Sequence, residues 1–149
     1  MRRFSLRCPW VWLVPLLVGC GGSNYEGPRL CPVEGTVTLA GKPLSGVTLQ
    51  FVPIGSTAGR GATGYTGQDG KYQLVTTRGF PGTPAGDYRV VAQKLVMPDG
   101  SDFPADSMVA PMDSPARQVL PSKYSTRGNT VLGVTVIEGP NVFDFQLSK

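Results

Sequence analysis

Asp99, Asp102, Asp106 and Asp113 share one stretch, Val96 to Lys123, with Met97, Met108 and Met112. Oxygen donors of this kind suit Ca²⁺, and a pair of carboxylates could serve a glycosidase as acid and base. Neither pattern is complete. The D-x-[DN]-x-[DN]-G spacing of a calcium loop is absent, and a proline-rich loop is a poor frame for two carboxylates that must keep a fixed separation. The chain also has no histidine. That removes Ser–His–Asp triads, Cys–His dyads, HExxH zinc sites and most transition-metal sites. The sequence thus predicts no catalytic residue, no metal site and no cofactor, and the chain is expected not to be an enzyme. Loops beyond about 12–15 residues are usually functional or disordered. The 96–123 loop reads as a solvated insertion able to dock a partner through Phe103 and the methionines.

Cysteine carries the other chemistry. Arg2, Arg3 and Arg7 make a basic start, and Pro9 to Val18 is an apolar run without a charge. This is the layout of a secretory signal. The run is about half of the roughly 20 apolar residues that a membrane-spanning helix needs, and Pro15 inside it would cost a helix about 3 kcal/mol. Leu17-Val18-Gly19-Cys20 then resembles the lipobox of bacterial lipoproteins. The resemblance implies a diacylglyceryl thioether on the Cys20 thiol and cleavage that leaves Cys20 as the first mature residue. The competing reading is a plain secretory signal whose cleavage site adjoins a cysteine. Each buried CH₂ of acyl chain contributes about 0.8 kcal/mol, so two or three chains give durable anchoring. Gly21 stands where an Asp would favour the inner membrane of enteric-type bacteria. By that resemblance the location is the cell envelope, at the outer membrane or periplasmic face.

Removing residues 1–19 changes the composition. Three of the 14 basic residues leave with the signal, so the mature chain holds 11 basic against 10 acidic residues. The full chain's net charge of +4 is therefore no sign of nucleic-acid binding. Both tryptophans, Trp10 and Trp12, leave as well. Cys8 is discarded and Cys20 acylated, which leaves Cys31 without an intrachain partner. It is either a buried thiol at the domain edge or an exposed one that pairs between chains.

The elements that must carry these residues are strands. Residues 20–31 read as a lipidated N-terminus and flexible tether, and ten such residues span at most about 35 Å. Period-two alternation begins after Cys31. Val33, Val37 and Leu39 share a face, as do Val47, Leu49 and Phe51, and these two runs are expected to form a hairpin around Gly41-Lys42-Pro43. Arg60 to Thr66 is a weaker strand. Gln68-Asp69-Gly70 is a turn into a strand that points Tyr72, Leu74 and Thr76 one way. In 87–95, Tyr88, Val90 and Ala92 oppose Arg89, Val91 and Gln93. The last two runs, 130–139 and 141–149, are expected to pair with each other around Gly139-Pro140. No helical repeat of useful length follows Cys20. Seven short strands with frequent Gly and Pro turns predict an all-β, antiparallel seven-stranded sandwich.

Several of these pieces together resemble carboxypeptidase-regulatory-like domains. They are Val33-Glu34-Gly35-Thr36-Val37-Thr38-Leu39 with Gly41-Lys42-Pro43-Leu44-Ser45-Gly46-Val47, then Thr66-Gly67-Gln68-Asp69-Gly70-Lys71-Tyr72, and Pro84-Ala85-Gly86-Asp87-Tyr88-Arg89-Val90. Pro121-Ser122-Lys123-Tyr124-Ser125 and Gly139-Pro140-Asn141-Val142-Phe143-Asp144-Phe145 resemble the tail of short lipoproteins of this group. The resemblance covers residues 32–149 and implies a transthyretin-like (prealbumin-like) Greek-key fold. Such domains serve as structural or recognition appendages. The histidines and YRGS-like tail of the transthyretin-like 5-hydroxyisourate hydrolases are missing here. Asp69-Gly70 reads as a turn and Tyr88 as a core-edge tyrosine tying a loop to the sheet. The resulting expectation is a membrane-anchored, non-catalytic structural or protein-interaction module, with a partner in the envelope. The alternative is a carbohydrate or small-ligand module using the 96–123 loop, weakened because most Tyr and Phe fall at inward strand positions.

Overall fold

The computed structural model describes residues 25–104 and 106–149. The signal segment, Cys20 and the first part of the tether lie outside the described residues. Among the described residues no helix is long and apolar enough to cross a membrane. In chain order the elements are β1 (Leu30–Cys31), β2 (Val33–Leu39), β3 (Lys42–Pro43), β4 (Val47–Pro53), β5 (Ala62–Tyr65), β6 (Lys71–Thr76), β7 (Thr83–Pro84), β8 (Gly86–Val96), β9 (Arg117–Gln118), the single turn α1 (Ser122–Ser125), β10 (Gly133–Val136), β11 (Asn141–Val142) and β12 (Phe145–Leu147).

The fold is all-β. Seven strands follow one another in one sheet, in the order β10-β8-β4-β5-β6-β2-β11, with β3 and β12 added on β2 and β9 on β8. The sheet curls back on itself. Phe51 of β4 and Phe145 of β12 are four strand spacings apart along the ladder, about 19 Å in a flat sheet at about 4.8 Å per step. Their ring centroids are 6.3 Å apart. Tyr72 stacks on Phe145 at 6.2 Å, and Tyr88 meets Phe51 at 6.0 Å. The inward sets expected from alternation, Val33 and Val37, Val47, Leu49 and Phe51, Tyr72 and Leu74, and Tyr88, Val90 and Ala92, form one core.

Three expectations about pairing are corrected. First, β2 and β4 do not form a hairpin: β4 pairs with β5 and β8, and β2 with β6 and β3. Their apolar faces meet across the core instead, because the Ala40–Gly46 link carries the chain from one half of the curl to the other. Second, β10 does not pair with the C-terminal strand but runs antiparallel to β8. Asn141 accounts for this. Its side-chain oxygen accepts the Ile137 N–H at 3.0 Å and its amide donates to the Ile137 carbonyl at 2.9 Å. Those contacts use the groups a hairpin would need. Third, the sheet is not wholly antiparallel, since β11 and β12 run parallel to β2.

Gly35 shows how closely the last strands approach. A Cβ at that position would collide with the Phe143 carbonyl, which also accepts a 2.8 Å hydrogen bond from Tyr72 Oη. Val91, expected on the polar side of β8, is buried. The segment after α1 crosses that face, with Thr130 Oγ1 donating to the Val90 carbonyl at 2.6 Å and Gln93 Nε2 donating to the Ser125 carbonyl at 3.3 Å.

Candidate functional site

The outward faces of β5, β6, β2 and β11 make an open concavity. Alternation puts Ala62, Gly64, Tyr72 and Leu74 inside and leaves Thr63, Tyr65, Lys71, Gln73 and Val75 outside. Glu34 pairs with Gln73 on one side and with Val142 on the other. Carrying the β5–β6 register on by one residue sets Tyr65 beside Gln73. A row Tyr65–Gln73–Glu34–Val142 therefore crosses four strands. The result is a shallow, open trough of about 780 Å³. Val75 and Val142 are exposed in it, together with Tyr65. A contiguous apolar patch rimmed by polar groups marks a surface where ligands or partners attach, whereas single exposed apolar side chains are ordinary.

Several polar groups of the trough are committed to structure. Asp144 Oδ1 accepts the Thr36 N–H at 2.8 Å, which fastens the last strands to β2. Gln73 Nε2 donates to Glu34 Oε2 at 3.4 Å. Burial, with the Asp144 charge adding to it, drives the Tyr72 hydroxyl well above its ordinary value. Tyr65 is raised too, by burial first and then by Asp102 and Asp106. Both tyrosines move further from neutrality, away from the range in which a general acid or base works.

A second cleft, of about 350 Å³, lies between the outer face of β4 and β8 and the segment Phe103–Pro111. Tyr65 lines both clefts. Its hydroxyl donates to the Phe103 carbonyl at 3.4 Å. The 96–123 loop thus folds back over the sheet. Its first part continues β8 as a tight hairpin, with the Met97 N–H on the Ser101 carbonyl at 2.8 Å and the Phe103 N–H on the Leu95 carbonyl at 3.0 Å. An ion pair fixes the root. Lys94 Nζ binds Asp102 Oδ1 and donates to the Ser45 carbonyl at 2.7 Å, while Ser45 Oγ donates to Asp102 Oδ2 at 3.0 Å. The Lys94 hydrogen bond is the main cause that holds the Asp102 carboxyl below its usual range, helped by Ser45.

The four loop aspartates do not act together. Asp99 accepts the Ser101 N–H and hydroxyl at 2.9 and 2.6 Å, an Asx turn. Asp102 is the ion-pair partner, and Asp106 and Asp113 are exposed. Among the described residues no three His, Cys, Asp or Glu groups converge on a metal position. Of the side chains expected to dock a partner, Phe103 and Met108 line the second cleft. Met97 is half-buried, and Met112 is exposed outside the lining. Cys31 is buried and free, next to β7.

The turn at Asp69-Gly70 is as expected: Asp69 Oδ1 accepts the Lys71 N–H at 3.1 Å, and Gly70 has φ +73°. Tyr88 ties a loop to the sheet. Its hydroxyl donates to the Pro84 carbonyl at 2.8 Å and accepts from Thr83 Oγ1 at 3.0 Å. Reading the sequence missed Tyr65, Val75 and Val142 as surface features, and the Lys94–Asp102–Ser45 cluster altogether. Strand alternation through Ala62-Thr63-Gly64-Tyr65 held the signal for Tyr65, since Ala62 and Gly64 are the inward residues.

Comparison with known proteins places no family name on this architecture. No family model matches the chain, and no curated protein does. Two solved structures are similar. One is a DUF3823 family protein from Parabacteroides merdae, at 17% identity and a TM-score of 0.39, covering 81% of this chain and 46% of that one. The other is a 9R-lipoxygenase from Cyanothece, at 15% identity and a TM-score of 0.37, covering 85% of this chain and 18% of that one. This chain thus spans less than half the length of either. The class that the described residues define is an all-β protein with a large curled sheet, a two-stranded β1–β7 sheet and two adjoining surface clefts.

Proposed function

We propose that this chain is a membrane-anchored lipoprotein whose domain is a non-catalytic interaction module at the cell envelope. Cys20 carries the lipid, and residues 32–149 form a Greek-key sandwich of the transthyretin-like kind. The observation that carries the interaction role is the trough across β5, β6, β2 and β11. It sets Tyr65, Val75 and Val142 at outward positions, while Asp144 and Tyr72 are used to hold the last strands on the sheet. An envelope protein with an apolar, hydrogen-bonding edge fits such a surface.

A photo-crosslinking residue at position 75, in the full chain expressed in its own cells, tests this reading. Capture of one defined envelope protein, lost with Val142→Asp, supports it. Crosslinking no different from that at the exposed Gln146 overturns it. The exposed ring of Tyr65 between two clefts favours a second reading, binding of a carbohydrate, because sugars stack on accessible aromatic faces. Saturable signal on a glycan array, lost both with Tyr65→Ala and on deleting residues 98–118, would favour that reading over the first.

A further inference from the structure

The chain enters the domain at one end of the curled sheet. Residues 25–31, the described part of the tether, lie against the domain. Tyr25 packs edge-on to Phe80 at 5.0 Å, and Leu30–Cys31 pairs with Thr83–Pro84. β4 ends, β5 begins and β6 ends at this same end, as the register Phe51↔Ala62 and Ala62↔Thr76 requires. The loops 54–61 and 77–82 therefore flank the entry point. Arg60 and Arg78 line a cleft with Tyr25 and Pro84. Arg29 precedes the strand that pairs with Pro84. All three arginines are exposed, and so is Ile54. Glu26, Asp87 and Glu138 are the acids at this end: Glu26 lines the same cleft, and Asp87 Oδ1 accepts the Thr135 hydroxyl at 2.6 Å. Among the described residues the salt bridge is Lys94–Asp102, so these guanidinium groups have no carboxylate partner there.

We propose that this end, through Arg29, Arg60 and Arg78 with Ile54 and the Tyr25–Phe80 pair, docks on the phosphate groups of an anionic phospholipid surface. The inference rests on the anchor at Cys20. Five residue steps separate Cys20 from Tyr25, a reach of at most about 18 Å. An acylated Cys20 thus keeps this end, and not the 96–123 loop, next to the bilayer. That reach is an upper bound, and a less extended tether brings the arginines within the roughly 10 Å over which lipid charge is felt at 0.1 M salt, where the planar guanidinium fork suits phosphate oxygens. An apolar side chain and a basic cluster make a second membrane signal beside the lipid. The domain then stands with both clefts of the sheet turned away from or alongside the membrane.

The test uses the processed, acylated chain in vesicles of phosphatidylcholine with phosphatidylglycerol, and of phosphatidylcholine alone. The mature chain lacks tryptophan, so Ile54→Trp and Met112→Trp are clean reporters, read by quenching with brominated lipid. The expected result is loss of Ile54→Trp emission on the anionic vesicles, none for Met112→Trp, and recovery in Arg60→Glu/Arg78→Glu or at high salt while flotation persists. Flotation without quenching at position 54, or equal quenching at 54 and 112, overturns the docking and leaves the anchor standing. A purified chain with no acyl mass at Cys20 that fails to float overturns the anchor itself, and the docking with it. Circular dichroism of the arginine variant, unchanged from the parent, excludes misfolding as the cause of recovery.

Discussion

The two ends of the sheet are tied down by different forces. At the entry end most ties are backbone pairs and neutral hydroxyls, with one carboxylate contact, from Thr135 Oγ1 to Asp87 Oδ1 at 2.6 Å. β1 pairs with β7, the Gly82 N–H reaches the Leu74 carbonyl at 2.7 Å, and the buried Tyr88 hydroxyl joins Thr83 to Pro84. At the far end the 96–123 loop is fixed by the Lys94–Asp102–Ser45 cluster, by β9 on β8 and by Gln118 Oε1, which accepts the Lys94 N–H at 2.9 Å. The lesson is one of division of labour. An end with many neutral, buried ties is rigid at any ordinary pH. An end whose root adds one partly exposed ion pair to a few backbone contacts can open locally without unfolding the sheet.

The largest effect should come from breaking what both ends share. Phe51 is buried among Tyr72, Tyr88, Phe143 and Phe145. Phe51→Ala is expected to cost about 3–5 kcal/mol, since it combines lost transfer free energy with a cavity. Urea unfolding should show this as a lower midpoint, with amide exchange rising at both ends alike. Tyr88→Phe comes next. It strips the Pro84 carbonyl and the Thr83 hydroxyl of a buried partner, a loss of about 1–3 kcal/mol. Exchange should rise in 81–88 first, and equal change in the 97–118 amides would blur the contrast.

Lys94→Met acts on the other end. Asp102 loses its cation, but the carboxylate is about a third exposed and water can reach it. The global midpoint should fall by no more than about 1 kcal/mol, the range of solvent-accessible pairs, while exchange in 97–118 rises sharply. A global loss as large as that of Tyr88→Phe would refute the contrast between the ends. The mildest perturbation is acid. Asp102 has a folded pKa below its unfolded value of about 3.9. Its contribution is therefore complete above that value and lost as pH falls through the lower folded one. Between pH 7 and 5 the loop should stay protected. Below about pH 4 its exchange should rise before that of residues 81–88, and simultaneous loss at both ends would count against the assignment.

The sequence pattern revealed faces better than neighbours. All seven expected strands lie in the sheet, and the inward residues of β2, β4, β6 and β8 were readable from alternation. Alternation does not say which strand lies next to which. Val37 and Phe51 have the same inward signature whether their strands pair or face each other across a core. The parallel pairing of Phe145–Leu147 on β2 depends on Asn141 blocking a hairpin at Ile137, a contact that exists only once the turn has formed. Val91 follows the same logic: its burial comes from a segment some forty residues further on. The trough was hidden for another reason. Tyr65 and Val75 sit on strands whose alternation marks them as solvent-facing, and only the shared register of four strands gathers them into one surface. The Lys94–Asp102 pair needed the turn at Pro98-Asp99-Gly100, whose composition is a turn signal inside what reads as a long loop.

The anchor at Cys20 decides whether the entry end is a membrane face and the trough a surface offered to envelope partners. Intact mass and N-terminal peptide analysis of the chain purified from its own membranes tests it directly. The account predicts a first residue of Cys20 carrying a diacylglyceryl group and no peptide containing Trp10 or Trp12. An unacylated chain beginning at any other residue would contradict it.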